Sequence, residues 1–236
     1  MNYYQILKIT GIILLIFSLF ILIPISAAFF YGESIDNFLQ SFLIIFFVGL
    51  LAYLPNKKER SHIKIREGFL IVAIFWFVLS FFGAIPFLLD ESLEFSLVEA
   101  IFESTSGWTT TGATVITNID DLNKPLLLYR QLLQWLGGIG IVVLVLAILP
   151  ILGVGGMYLY KAETSSPVKD NKLSPRITET AKSLWGVYII LTIACAVLYK
   201  FAGMSYFDAI GHSFSTVSIG GFSTHDTSIG FYSSDL

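Results

Sequence analysis

SLVEAIFESTSGWTTTGAT, residues 96–114, is the stretch on which the fold turns. Its first part, Ser96–Gly107, has helix-forming character but is too short to cross a bilayer. At 1.5 Å per residue it reaches about 18 Å, a little over half of an apolar core about 30 Å thick. The chain then enters Trp108–Thr114, which is polar and uncharged. On the amino side lies Gly68–Leu89, free of Asp, Glu, Lys and Arg and closing at Pro86 and an acidic turn; on the carboxyl side the next full span begins only after Arg130. The order is helix, half-helix, polar backbone segment, helix. Non-helical backbone is tolerated at membrane depth only where protein buries it or it lines a water-filled cavity. A re-entrant loop dipping in from the outer face is therefore expected.

The same order recurs. Ser205–Thr216 is a second short helical piece, and Val217–Ser223, VSIGGFS, a second glycine-bearing segment. A single constant offset pairs Glu99, Ala100 and Ile101 with Asp208, Ala209 and Ile210, and also Ser104 with Ser213, Ser106 with Ser215, and Gly112 with Gly221. Each match alone is weak. Together, each after a membrane span, they indicate an internal repeat. The second copy is expected to be incomplete, because the sequence reaches Leu236 before any return helix.

The composition excludes an ordinary soluble domain: apolar residues make up 55% and charged residues 13%, against roughly 45–50% and about 25% in soluble domains. No charged residue occurs in Ile9–Gly32, Asn37–Asn56, Gly68–Leu89, Gln131–Tyr160 or Ser183–Tyr199. A span needs roughly 20 apolar residues. The first four runs meet that length, and the fifth does so if it continues past Lys200, whose stem can carry its ammonium to the interface. Core helices of a soluble protein would be shorter and keep a polar stripe. A cleaved leader would have a shorter apolar core and a small-residue cleavage site. The first two runs lack a pore loop and read as an added amino-terminal hairpin.

Lys57, Lys58, Arg60, Lys64 and Arg66 lie between the second and third runs, and Lys161, Lys169, Lys172, Arg176 and Lys182 between the fourth and fifth. The alternate loops are acidic, with Glu33, Asp36, Asp90, Glu91, Glu94, Glu99, Asp120 and Asp121. By the positive-inside rule the basic loops and the amino terminus are cytoplasmic, and residue 236 is periplasmic. Cations beside apolar spans face lipid, so the bilayer is the expected partner and nucleic acid is not. A single cysteine, Cys195, allows no intramolecular disulfide.

The two loops suggest a chemistry. A dehydrated potassium ion needs several oxygens in place of its water, which rings of backbone carbonyls supply. A strand that turns its carbonyls one way needs small residues and at least one glycine. Thr110, Thr111, Gly112 and Ala113 meet that need, as do Ile219, Gly220, Gly221 and Phe222. The half-helix ahead of each strand points its negative carboxyl end at the ion path, favouring a cation. Glu103, in the first half-helix, either favours cations electrostatically or hydrogen-bonds behind the filter to hold its backbone. The second role is preferred because filters need rigid support.

The sequence resembles the TrkH family of bacterial potassium uptake proteins, within the Trk/Ktr/HKT superfamily. The resemblance is carried by REGFLIV at 66–72, TTTGAT at 109–114, YRQLLQWLGGIGIVVL at 129–144, AILPILGVGGM at 147–157, KDNKLSPRITETAKSLW at 169–185 and FDAIGHSFSTVSIGGFSTHD at 207–226. It covers the whole chain. It implies an all-α membrane protein in which an amino-terminal two-helix hairpin precedes helix–pore-loop–helix repeats of a K⁺-channel-like pore, truncated here in the second repeat. The expected division is a hairpin at 1–56, a cytoplasmic basic loop at 57–67, the first repeat at 68–152, a cytoplasmic linker at 153–182 and an incomplete second repeat at 183–236. The implied filter positions are Thr110–Ala113 and Ile219–Phe222, with Glu103 in support. The resemblance further implies K⁺ as the transported ion with no cofactor, residence in the bacterial inner membrane, a homodimer, and a cytosolic nucleotide-binding regulatory partner, TrkA. The family's third and fourth filters, its intramembrane gating loop and the arginine of its fourth repeat have no counterpart here.

Other features are set aside. Gly153, Gly155 and Gly156 follow a membrane helix, not a strand, so a nucleotide fingerprint is not expected. Gly137, Gly138 and Gly140 fit close helix packing or bending beside a pore. His212 and Ser213 are the basis of the rival reading as a membrane-embedded hydrolase, but the final glycine and strand–turn–helix setting of a nucleophile turn are missing. No enzyme is expected. The spacing of His212, His225 and Asp226 fits no standard metal ligand set. A second rival is a non-conducting membrane scaffold fragment.

Overall fold

The structure, a computed structural model, describes residues 3–57, 65–148 and 173–232. The basic cluster at 58–64, most of the expected linker with Gly153–Gly156, Lys161, Lys169 and Lys172, and residues 233–236 lie outside the described residues. Among those residues the chain is helical, with no strand. Helix α1 (Tyr3–Tyr31) and helix α2 (Asp36–Tyr53) form a hairpin joined by a short turn. Helix α3 (Ile65–Gly83) is followed by the short α4 (Ile85–Leu88), whose first turn holds Pro86. Proline lacks the amide that would continue α3 and suits the first turn of a new helix. Then come the half-helix α5 (Leu97–Trp108), an extended segment, and α6 (Lys124–Ile148). The second unit repeats the plan with α7 (Leu173–Phe201) and the half-helix α8 (Tyr206–Val217). Four described helical segments are long and apolar enough to cross a membrane: Tyr3–Tyr31, Asp36–Asn56, Gly68–Leu88 and Glu179–Phe201.

The half-helices begin one residue later than the sequence suggests, because Ser96 and Ser205 cap them from outside. Ser96 accepts from the Glu99 amide while Glu99 reaches back to the Ser96 amide, a capping box. Ser205 accepts from the Asp208 amide in the same way.

Two boundaries differ from expectation. The span expected only after Arg130 begins at Lys124, so Arg130 lies inside α6 and is wholly buried. The fifth span gains its length upstream: α7 ends at Phe201, and Lys200 turns its ammonium to the Met204 carbonyl (3.1 Å) and over the Tyr206 ring (4.2 Å). The charged head leaves the helix end, as a long cationic stem allows.

Helix α6 organises the core. Its Leu126, Tyr129, Leu132, Leu133 and Leu136 pack in one cluster with Leu14, Phe17 and Ile21 of α1, Phe38 and Ile45 of α2, and Trp108 at the end of α5. Trp108 meets the Phe17 ring edge-on at 5.3 Å, and Tyr129 meets Phe38 at 5.5 Å. The Tyr129 hydroxyl donates to the Gly83 carbonyl (2.8 Å), tying α6 to the end of α3. Gly137 lets α6 meet the tip of α5, since a Cβ there would lie 2.0 Å from the Trp108 carbonyl oxygen. The core therefore fixes the half-helix tip from which the extended segment departs.

Candidate functional site

Both half-helices end by the same turn. Thr110 N–H donates to the Gly107 carbonyl (3.0 Å) and Thr111 N–H to Ser106 (2.9 Å). At the equivalent positions of the second copy, Ile219 N–H donates to Thr216 (3.0 Å) and Gly220 N–H to Ser215 (2.7 Å). This is the Schellman pattern, in which the residue after the cap adopts the left-handed region and is usually glycine. Here it is a β-branched residue both times, with φ of 54° at Thr110 and 57° at Ile219. Such a conformation costs a non-glycine residue about 1–2 kcal/mol. Two residues on, Gly112 and Gly221 have φ of 76° and 86°, and the residues between stay on the negative side. Such an alternation in the sign of φ allows successive amides to turn to one side and their carbonyls to the other. The first amides fold back onto the half-helix. Among the described residues no donor is bonded to the carbonyls of Thr110–Ala113 or Ile219–Phe222. The two segments lie side by side: a Cβ on Gly112 would come 2.0 Å from the Gly220 carbonyl oxygen.

The bracing of these segments is where side chains enter. Glu103 is wholly buried. It accepts from the Thr114 hydroxyl (2.9 Å), the Val115 amide (3.1 Å) and Arg130 Nε (2.9 Å). The offset that pairs Gly112 with Gly221 also pairs Glu103 with His212 and Thr114 with Ser223. His212 Nε2 lies 3.0 Å from Ser223 Oγ, and its Nδ1 lies 3.0 Å from the Asp208 carbonyl. Both half-helices thus hold the residue just past their own segment.

Arg130 joins the two. Its Nη2 donates to Thr114 Oγ1 (3.0 Å), its Nη1 to the Ser223 carbonyl (3.3 Å), and its guanidinium carbon lies 4.4 Å from the centroid of the Phe222 ring. One helical turn on, Gln134 Oε1 accepts from the Phe222 amide (3.0 Å). Sequence reading missed both residues. The available signal was a charge, Arg130, followed immediately by an uncharged run, together with a buried-type acid in the half-helix.

The other candidates fall elsewhere. Ser213 donates to the Ile210 carbonyl (2.7 Å), and no hydrogen bond joins it to His212 among the described residues. His225 lies near the surface against Asp120, stacked on Phe231 with centroids 3.6 Å apart. The Asp226 carboxylate accepts from the Ile119 amide (3.0 Å). Among the described residues no group of three or more His, Cys, Asp or Glu is placed to hold a metal ion.

The paired loops have counterparts among known proteins. Residues 34–236 match the family model described as "TrkH: Cation transport protein". The chain belongs to the TrkH family. It is 52% identical over 235 residues to the Trk system potassium uptake protein TrkH of Escherichia coli K12, covering 99% of this chain and 49% of that protein. It is 54% identical over 235 residues to the TrkH of Halomonas elongata, again with 99% of this chain and 49% of the relative covered. The crystal structure of the potassium transporter TrkH from Vibrio parahaemolyticus superposes with a TM-score of 0.87 at 47% identity, covering 99% of this chain and 47% of that one. The chain thus spans about half the length of the curated relatives it matches. It is a membrane protein of the TrkH fold.

Proposed function

We propose that this chain supplies two selectivity-filter segments to a pore that conducts K⁺ across the membrane. The observation that carries the reading is the pair of segments, each at the tip of a half-helix, with alternating positive φ and carbonyls that accept no hydrogen bond among the described residues. Thr110, Thr111, Gly112 and Ala113 would offer carbonyls from the first, and Ile219, Gly220, Gly221 and Phe222 from the second. A dehydrated cation is stabilised by several such dipoles and by the negative ends of α5 and α8. Glu103 supports the first filter from behind through Thr114 and the Val115 amide, so its negative charge is taken up by hydrogen bonds and by Arg130. The relatives named as potassium uptake proteins support K⁺ as the ion.

The division into hairpin (1–56), first repeat (68–152) and second repeat (183–236), joined through 57–67 and 153–182, is part of this reading. So are residence in a bacterial inner membrane, a cytoplasmic amino terminus and residue 236 on the periplasmic side. A homodimer, a cytosolic TrkA-like nucleotide-binding partner and the absence of enzymatic activity belong to it as well. In a potassium-uptake-deficient strain, the full-length gene product should restore growth on low K⁺. Gly112→Ser and Gly221→Ser should each lower its K⁺ over Na⁺ selectivity. Selectivity unaltered in both variants would defeat the filter assignment.

A further inference from the structure

We propose that Arg130, seconded by Gln134, is a positioning residue that holds the two filter strands in register with each other; the inference rests on the pore reading above. Arg130 belongs to α6, the return helix of the first repeat, and lies in neither filter. It nonetheless grips both at equivalent points. Thr114 is the residue after the first filter, Ser223 the residue after the second, and the two are related by the repeat offset. One guanidinium donates to the side chain of the first and to the main chain of the second. It also lies over the ring of Phe222, the last residue of the second filter. Gln134, on the same face of α6 one turn away, takes the Phe222 amide. The second filter is therefore fastened at its end by a hydrogen bond from the Phe222 amide, a contact with the Phe222 ring and a hydrogen bond to the Ser223 carbonyl just past it, all made to a helix of the first repeat.

Arginine suits this task in a way lysine does not. Its planar fork presents five donors in fixed directions, so three partners can be held at once in one geometry. An ammonium can neutralise Glu103, but it offers a point charge on a flexible stem. If Arg130 merely balanced a buried acid, lysine would serve as well. If it sets the separation of the filters, lysine would keep the charge and lose the register. A displaced filter coordinates the wrong ion better, so the reading to follow is the selectivity ratio and not the amount of protein.

The test uses the full-length gene product with Arg130→Lys and, separately, Gln134→Met, which keeps the volume and removes the acceptor. K⁺-driven and Na⁺-driven flux are measured in reconstituted vesicles at matched protein amount. Both variants should lower K⁺ over Na⁺ selectivity, Arg130→Lys by roughly tenfold for the loss of two buried hydrogen bonds and Gln134→Met by less. Arg130→Lys that folds and keeps wild-type selectivity overturns the inference. So does K⁺ and Na⁺ flux that falls equally, leaving the ratio unchanged, in both variants. Should Arg130→Lys fail to accumulate, Gln134→Met decides: a lowered ratio supports the inference and an unchanged one overturns it. A wild-type protein that carries no K⁺ overturns the pore reading, and the inference with it; a selective wild type with unaltered variants removes the inference alone.

Discussion

In the first loop, a buried carboxylate braces the residues just past Thr110–Ala113; in the second, an imidazole stands at the same place past Ile219–Phe222. Glu103 and His212 are separated by the repeat offset, as are their partners Thr114 and Ser223. The backbone hardly registers the change. Both half-helices end in the same pair of turn hydrogen bonds, and positive φ falls at equivalent positions. The shape of the two segments thus comes from the way a short helix terminates, while the brace is free to vary in charge. The energetic consequence of that freedom differs between the loops. A buried carboxylate requires a buried cation, and α6 provides it in Arg130. An imidazole can stay uncharged and then requires none, so the second loop can share the first loop's arginine through a main-chain oxygen.

The largest expected effect tests that asymmetry. Arg130→Met leaves Glu103 charged, buried and unpaired, which costs about 3–5 kcal/mol. Thermal unfolding in detergent should show a large fall, and Glu103→Gln in the same chain should return much of it. His212→Leu removes only neutral contacts, those to the Ser223 hydroxyl and the Asp208 carbonyl, about 1–3 kcal/mol. Equal losses for Arg130→Met and His212→Leu would break the distinction between an ionic and a neutral brace.

A second contrast lies in the glycines of the two segments. Gly112 and Gly221 share positive φ, so alanine at either strains the backbone by about 1–2 kcal/mol. Only at Gly112 does the added carbon also run into the Gly220 carbonyl; at Gly221 it meets nothing within 4 Å. Gly112→Ala should therefore reduce K⁺ uptake rate more than Gly221→Ala. Equal rates would show that the two strands are not in contact at that point.

These contrasts also mark what the sequence could disclose. The membrane spans, the half-helices and the repeat offset depend on residue type along the chain, where charge, length and capping serines are visible. Gly112 and Gly221 advertised their backbone, because glycine is the residue that tolerates it. Thr110 and Ile219 did not, because β-branched residues argue against positive φ. Arg130 was misplaced for a different reason. A charge at the edge of an apolar run reads as the boundary of the span, and only tertiary structure shows that Glu103, 27 positions earlier, compensates it. Its hold on the second loop goes to a main-chain oxygen 93 positions later, for which no side-chain signal exists.

The smallest expected effect concerns the surface where the segments that follow Ala113 and Phe222 meet. Asp226 accepts from the Ile119 amide, Asp120 accepts from the Asp226 amide (3.2 Å), and His225 lies against the Asp120 carboxylate. The His225 hydrogen bond, helped by the Asp226 amide, holds the Asp120 carboxyl below the usual aspartate range. A carboxyl depressed in the folded state contributes stability that is fully present above its unfolded value of about 3.9 and is lost as pH falls through the lower folded value. The wild type should therefore unfold at a slightly higher temperature than Asp120→Asn at neutral pH. The difference should shrink towards zero in acid below the ordinary aspartate range. It should also shrink with added salt, since the carboxylate is exposed and screened. Unlike Glu103 and His212, this contact lies in water, and removing it should leave K⁺ over Na⁺ selectivity unchanged. A difference in unfolding temperature that persists undiminished into acid would show that Asp120 acts through packing and not through its charge.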